Sequence, residues 1–210
     1  MILADYLATA LVTLLVVVDP PGLAPMFLAV TTGMNQQERR SVGWRACLIA
    51  TAILWFFALA GEPFLRLLGI STAAFRIAGG LLLFWIAFEM VFERRNARKS
   101  NTAETAITKD HIQNVAAFPL AIPLMAGPGA ITATMLLSAQ TGGDFGLFGM
   151  LLATIATTTL ACYLVFRVAE PFDKMLGVTG NVVLSRLLGI ILAALAVQFV
   201  VDGAKAAFMT

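Results

Sequence analysis

Two clusters of proline and glycine, one of them beside an acid, are the residues of this chain best suited to chemistry. The first is Asp19-Pro20-Pro21-Gly22 with Pro25 close behind, and the second is Pro119, Pro123 and Gly127-Pro128-Gly129. Proline removes a backbone donor and glycine loosens the backbone, so each cluster is expected to break a helix. A helix that restarts after a break presents free N–H groups and the positive end of its dipole, which suits a carboxylate. We therefore expect second helices to begin near Leu23 and Ala130.

Asp19 is an acid in the middle of a long apolar stretch, where a carboxylate is costly unless it faces the protein interior. A carboxylate in this position suits an ammonium group, Na⁺ or a proton. Na⁺ and H⁺ are therefore the candidate coupling ions. The alternative is that Asp19 only caps the helix that follows it. The candidate substrate-binding residues are Asp19, Pro20, Pro21, Gly22, Pro25, Pro123, Gly127, Pro128, Gly129 and Thr132.

Long apolar stretches must position these residues. The chain has 210 residues, of which 60% are hydrophobic and 12% are charged, and its mean hydropathy is +0.89. A helix that crosses a bilayer needs about 20 mostly apolar residues. Six stretches qualify, at 7–31, 43–61, 73–92, 114–138, 146–168 and 183–203. The sequence therefore predicts an all-α membrane protein of six transmembrane helices.

Basic residues give the orientation. If the six spans alternate, eleven of the 14 Lys and Arg residues fall on one side of the membrane, and that side includes the charged linker 93–113. Basic residues near span ends concentrate on the cytoplasmic side. We therefore expect a cytoplasmic linker, both termini outside the cytoplasm and a multi-pass protein of the cell inner membrane.

An internal repeat divides the chain into 1–92, the linker 93–113 and 114–210. Residues 61–72 read GEPFLRLLGIST and residues 169–180 read AEPFDKMLGVTG, which is identity at five of twelve positions. Three spans per half mean that the second half enters the membrane from the opposite side, so the repeats are inverted, as in many secondary transporters. Glu62-Pro63 and Glu170-Pro171 are typical of helix starts.

Other functional classes lack their signatures. The sequence contains no phosphate-binding loop, no nucleophile elbow and no second mid-span acid for an aspartyl pair, so we expect no enzyme, catalytic residue or cofactor. Cys47, Cys162 and His111 have no metal-ligand spacing, and no basic run interleaved with aromatics suggests nucleic acid. A passive channel or a membrane scaffold remains the alternative to a transporter, and an intramembrane enzyme is the weaker one. The sequence leaves homo-oligomer formation open.

The two breaks resemble the MarC family of bacterial and archaeal membrane proteins. The segments that carry the resemblance are VVVDPPGLAPMF in the first span and PLAIPLMAGPGAIT in the fourth. That family is also known as the small neutral amino acid transporter family. The resemblance implies six helices in two inverted three-helix repeats, with discontinuous first and fourth helices. It also implies transport of small neutral amino acids such as glycine or alanine, either ion-coupled or as export, whereas the residues alone indicate only a small solute.

Overall fold

The computed structural model of the chain describes residues 2–94 and 116–208. Every regular element in these two ranges is helical, so the predicted all-α class is confirmed. The helices are α1 Ile2–Val18, α2 Pro20–Val30, α3 Gln36–Leu67, α4 Thr72–Val91, α5 Pro128–Gln140, α6 Phe145–Arg167 and α7 Ala169–Phe208, with a kinked helical segment at Ala116–Met125 before α5. Most of the linker predicted at 93–113, with His111, lies outside the described residues.

The helices have the length and composition of membrane spans. Five apolar runs are long enough to cross a bilayer: Leu3–Val30, Gln36–Leu67, Thr72–Val91, Phe145–Arg167 and Thr179–Phe208. Ala116–Met125 and Pro128–Gln140 form a sixth only if this pair, bent by 57°, is counted as one span. The predicted number of six spans is reached on that count.

Local chemistry sets the helix starts. At α3, Asn35 accepts from the Glu38 backbone N–H at 2.9 Å while Glu38 accepts from the Asn35 N–H at 2.8 Å, a complete capping box. The Ser71 hydroxyl caps α4 by accepting from the Ala74 N–H at 3.1 Å, and Asp144 caps α6 through the N–H of Gly146 at 2.7 Å. Each cap satisfies backbone donors that have no partner inside the helix.

One sequence expectation about helix starts is wrong, and two others are displaced by two or three residues. Glu62-Pro63 does not begin a helix but lies in the last part of α3, where Glu62 pairs with Arg66 one turn later at 2.6 Å. Pro63 removes one backbone hydrogen bond, the one to the Leu59 carbonyl, and only four helical residues follow it before α3 ends at Leu67. Glu170-Pro171 does stand at the start of α7. The helices expected near Leu23 and Ala130 begin earlier, at Pro20 and Pro128, because proline is itself a good first residue.

Small residues let α4 and α7 approach each other closely. A Cβ added to Gly203 would lie 3.0 Å from the Ala73 carbonyl oxygen, and one added to Gly189 would lie 3.1 Å from that of Ala87. The contacts run in opposite chain order, so the two helices are antiparallel, and they share the most extensive contact between elements in the described ranges. Close backbone packing of this kind is how helices associate in lipid.

Helices α3 and α6 form a second antiparallel pair. The hydroxyl oxygens of Thr51 and Thr159 lie 2.8 Å apart in its interior. Toward one end the Trp55 indole N–H donates to the Leu152 carbonyl at 3.1 Å. Such hydrogen bonds between membrane helices contribute about 0.6 kcal/mol on average, so packing supplies most of the association.

Candidate functional site

The first candidate site is the junction of α1 and α2 at Asp19. The backbone there is left-handed, with φ 60° and ψ 65°, and the residue is only 2% exposed. Its Oδ1 accepts from the Gly22 backbone N–H at 3.1 Å. Asp19 is therefore the N-cap of α2, which is the capping role that the sequence analysis left open for it. The charge is nevertheless buried at the centre of an apolar run, where carboxylates mark functional sites.

The neighbouring residues explain this local geometry. Pro20 and Pro21 occupy the first two positions of α2, where an N–H would have no partner inside the helix. The first available donor is therefore that of Gly22, which the Asp19 carboxylate receives. A Cβ on Gly22 would collide with that carboxylate, so the glycine is required by the cap. Pro25 lies further along α2 and is half-buried.

The second candidate site precedes α5. Ala116–Met125 is an irregular, kinked helical segment, with extended backbone at Phe118 and Ile122, the residues before Pro119 and Pro123. Gly127 is the N-cap of α5, and no side chain caps this end. A Cβ on Gly127 would collide with the Pro123 carbonyl oxygen, so only glycine fits this close backbone approach.

The structure brings only some of the predicted site residues together. A Cβ on Gly129 would lie 3.5 Å from Val17, so the start of α5 contacts the end of α1 two residues before Asp19. Thr132 is buried at 8% exposure, but its methyl group faces α4, 2.9 Å from the Cβ position of Gly79. Pro128 is exposed, whereas Pro20 and Gly22 are buried. The two breaks therefore differ in burial and in capping.

A cavity opens at the end of the bundle where α2 ends and α3 begins. Its volume is about 490 Å³, and α6 and α7 form its other wall. We name it the basic cavity; its charged and aromatic lining residues are Phe27, Arg39, Arg40, Tyr163, Phe166, Arg167 and Glu170. Arg39 Nη1 donates to Glu170 Oε1 at 2.6 Å between the two walls. The rings of Phe27 and Phe166 stack with centroids 4.4 Å apart.

The opposite end of the bundle is closed at the corresponding place. Gly61 on α3 packs against Met135 on α5 so closely that an added Cβ would lie 2.9 Å from Met135 Cγ. The Ser138 hydroxyl, 6% exposed, donates to the Ala58 carbonyl at 2.7 Å. These contacts join α3 to α5, whereas the basic cavity separates α3 from α7.

Comparison with known proteins decides the family. The chain matches the model of the MarC family integral membrane proteins over residues 4–208. The chain belongs to the MarC family. The UPF0056 membrane protein YhcE of Escherichia coli (strain K12) is 36% identical over 195 residues, which cover 93% of this chain and 90% of that protein. A UPF0056 membrane protein of Archaeoglobus fulgidus is 35% identical over 206 residues, covering 96% and 94%.

A third relative, from Methanocaldococcus jannaschii, is 36% identical over 205 residues and covers 98% of both chains. No solved structure matches this MarC-family chain. The predicted family is thus confirmed, and with its apolar helices the chain is an integral, multi-pass membrane protein.

Sequence reasoning missed several features of this MarC-family protein. The Arg39–Glu170 ion pair joins residues 131 positions apart, and nothing in their local sequence announces it. Glu89, a second acid within an apolar stretch, is 7% exposed near the end of α4 and accepts from the Trp85 indole N–H at 3.2 Å. The available signal was an acid four residues after a tryptophan, which places both on one helix face.

Proposed function

We propose that this MarC-family protein is a secondary transporter of small neutral amino acids of the glycine or alanine type, and not an enzyme. The observation that carries the proposal is the buried Asp19 at the junction of two helices in the centre of an apolar run. An intramembrane carboxylate is expensive and is kept where it meets an ion or a substrate. The choice of amino acids comes from the family resemblance.

The proposal includes an inverted repeat, which the Thr51–Thr159 contact supports. These residues are 108 positions apart, the same offset that aligns Glu62 with Glu170 in the repeated sequence. A residue that contacts its own counterpart lies on the axis that relates the two halves. Thr51 and Thr159 therefore mark that axis in the α3–α6 pair.

The third helix of each half supports the same axis. Arg76 and Gly79 of α4 align with Arg186 and Gly189 of α7 in the repeated sequence. Counterpart helices related by an axis in the membrane plane must run in opposite directions. The antiparallel contacts of α4 with α7, and of α3 with α6, meet this requirement. The α1–α2 and 116–140 segments likewise contact each other.

The breaks supply complementary groups for a zwitterion. The Asp19 carboxylate already occupies the N-terminus of α2. We therefore expect the substrate carboxylate to bind at the start of α5. There Gly127 provides no side-chain cap, so the N–H groups of Gly129 and Ala130 are offered to an anion. The ammonium group is assigned to Asp19, which would also serve a coupling Na⁺ or H⁺.

The two ends of the bundle favour a carrier over a passive channel. Met135 and Gly61, which pack together at the opposite end, align in the repeat with Leu28 and Ala169, which line the basic cavity. One set of counterpart contacts is thus tight while the other is open. A carrier that alternates access would exchange the two arrangements, whereas a channel has no need of the difference.

Orientation follows from the basic residues. The basic cavity lies at the end that carries Arg39, Arg40 and Arg167, and the excess of Lys and Arg on this side assigns it to the cytoplasm. In this arrangement the linker is cytoplasmic, the termini lie on the other side of the inner membrane and the cavity faces inward.

Ligand-dependent melting of the purified protein tests the proposal. Alanine or glycine at about 100 times its Kd should stabilise the native state by about 2.7 kcal/mol, which corresponds to about 5–10 °C for a chain of this size. Alaninamide has an amide in place of the carboxylate, and ethylamine has no carboxyl group. Neither compound offers an anion to the start of α5, so both should shift the melting temperature less than alanine does. Equal melting-temperature shifts with alanine and alaninamide would refute carboxylate binding at the start of α5. No shift with any amino acid would refute the proposed substrate class.

A further inference from the structure

Charge in the basic cavity is unbalanced. Among the side chains that the structure describes, three guanidinium groups, those of Arg39, Arg40 and Arg167, line it together with one carboxylate, that of Glu170. Arg39 and Glu170 neutralise each other across the opening at 2.6 Å. Within residues 2–94 and 116–208, neither Arg40 nor Arg167 forms an ion pair. Both guanidinium groups are exposed and line the same cavity, and planar guanidinium donors match a carboxylate.

The floor of the basic cavity is aromatic and closed. The stacked rings of Phe27 and Phe166 are 2% and 5% exposed. A Cβ on Gly43 would lie within 3.5–3.6 Å of both rings, so the α3 backbone seals the pair from one side. A ligand held by the arginines therefore stays at the mouth of the cavity, above this floor.

The mouth is separate from the Asp19 junction. Phe27 follows Asp19 by eight residues of α2, which is about 12 Å along a helix axis. A molecule of glycine size cannot contact both ends of that path at once. If the arginines bind the solute, they form a site of their own.

We propose that the basic cavity is a second, low-affinity site for the transported amino acid, in which Arg40 and Arg167 hold the carboxylate. The identity of the solute rests on the proposed function, and the site adds a place where the solute is held before it reaches Asp19. Its affinity is low because exposed charges are screened by water and salt.

The two tyrosines of the chain allow a site-specific test. Tyr163 lines the basic cavity, whereas Tyr6 is buried and donates to the Leu137 carbonyl at 3.0 Å. Protein labelled with 3-fluorotyrosine in an uncharged detergent gives two ¹⁹F resonances, and a Tyr163→Phe variant assigns them. Alanine should shift the Tyr163 resonance saturably and leave that of Tyr6 in place, while alaninamide should shift neither.

Variants assign the binding groups. Arg40→Gln combined with Arg167→Gln should raise the alanine midpoint at Tyr163 by about tenfold, the size expected for two lost charge-assisted contacts. The matched control is Arg66→Gln, which removes an exposed arginine at the other end of the bundle and should leave the midpoint unchanged. The pair Arg40→Lys and Arg167→Lys keeps the charge but loses the planar donors, so its midpoint should lie between those of the wild type and the double glutamine variant.

Several results would overturn the second site. One is the absence of a Tyr163 shift with alanine. Another is an unchanged alanine midpoint in a double glutamine variant whose melting temperature is normal. A third is loss of the Tyr163 shift in Asp19→Asn, which would assign the alanine binding to the Asp19 junction. A shift with glycerol phosphate and none with alanine would assign the arginines to anionic lipid headgroups. Saturable alanine counterflow without a Tyr163 shift would overturn the cavity site alone. A Tyr163 shift without counterflow would overturn transport and leave a carboxylate-binding cavity.

Discussion

Replacing Asp19 by asparagine separates the charge of this residue from its shape. Asparagine tolerates the left-handed backbone and accepts a hydrogen bond through its side-chain oxygen, so it can keep φ 60° and the cap on Gly22. Only the negative charge is lost. Alanine at the same position loses the charge, the cap and the conformational tolerance together, and it is the control for a structural role.

The expected stabilities differ enough to be measured. Asp19→Asn forfeits the attraction between a carboxylate and the positive end of α2, which is at most about 1 kcal/mol. Asp19→Ala forfeits the cap as well, about 1 kcal/mol, and incurs the left-handed penalty of about 1–2 kcal/mol. At about 2–4 °C per kcal/mol, the melting temperature should fall by less than about 4 °C for asparagine and by about 4–16 °C for alanine.

Transport by the two variants then decides the role of the charge. Alanine uptake into proteoliposomes is compared at equal amounts of folded protein, judged by size-exclusion profile and melting temperature. We expect both variants to lose most of the uptake, although Asp19→Asn stays folded. A well-folded Asp19→Asn protein with near-normal uptake would refute the proposed role. If asparagine destabilised the protein as much as alanine, the charge would belong to the cap.

Three further predictions address the fold. Reporters active on one side of the membrane should place the C-terminus outside and the linker in the cytoplasm; a cytoplasmic C-terminus would contradict the orientation. On a cysteine-free background, Thr51→Cys with Thr159→Cys should oxidise to a disulfide, because their side chains touch. Thr51→Cys with Thr157→Cys should not, because Thr157 is exposed on a different face of α6. Gly127→Ala should lower the free energy of unfolding by about 2 kcal/mol or more, because the added methyl group collides with the backbone. Its control, Gly149→Ala, places the methyl group in open space and should be neutral or stabilising. Equal effects of the two substitutions would contradict the backbone geometry before α5.

Features that depend on local chemistry were predictable from the sequence. Apolar length indicated the spans, and the two prolines after Asp19 indicated a helix start close to its observed position at Pro20. The burial of Asp19 followed from its place in an apolar run. The repeat shows where this reasoning ends: Glu62-Pro63 and Glu170-Pro171 are the same dipeptide, yet one lies inside α3 and the other begins α7.

Features that depend on contacts between distant residues were not predictable. The basic cavity exists because the start of α3 meets the end of α6, residues separated by more than a hundred positions. The stacking of Phe27 on Phe166 and the contact of Thr51 with Thr159 arise in the same way. Apolar aromatics and threonines are common in membrane helices, so their types alone gave no signal of these partners.

Counterflow in proteoliposomes tests the central claim most directly. Vesicles loaded with unlabelled alanine and diluted into a trace of labelled alanine should accumulate the label transiently above equilibrium. The initial rate should saturate with alanine concentration and be largely lost in Asp19→Asn, because a carrier exchanges solutes at one site while a pore does not. Label entry that rises linearly with concentration, or that matches protein-free vesicles, would contradict a transporter of small neutral amino acids.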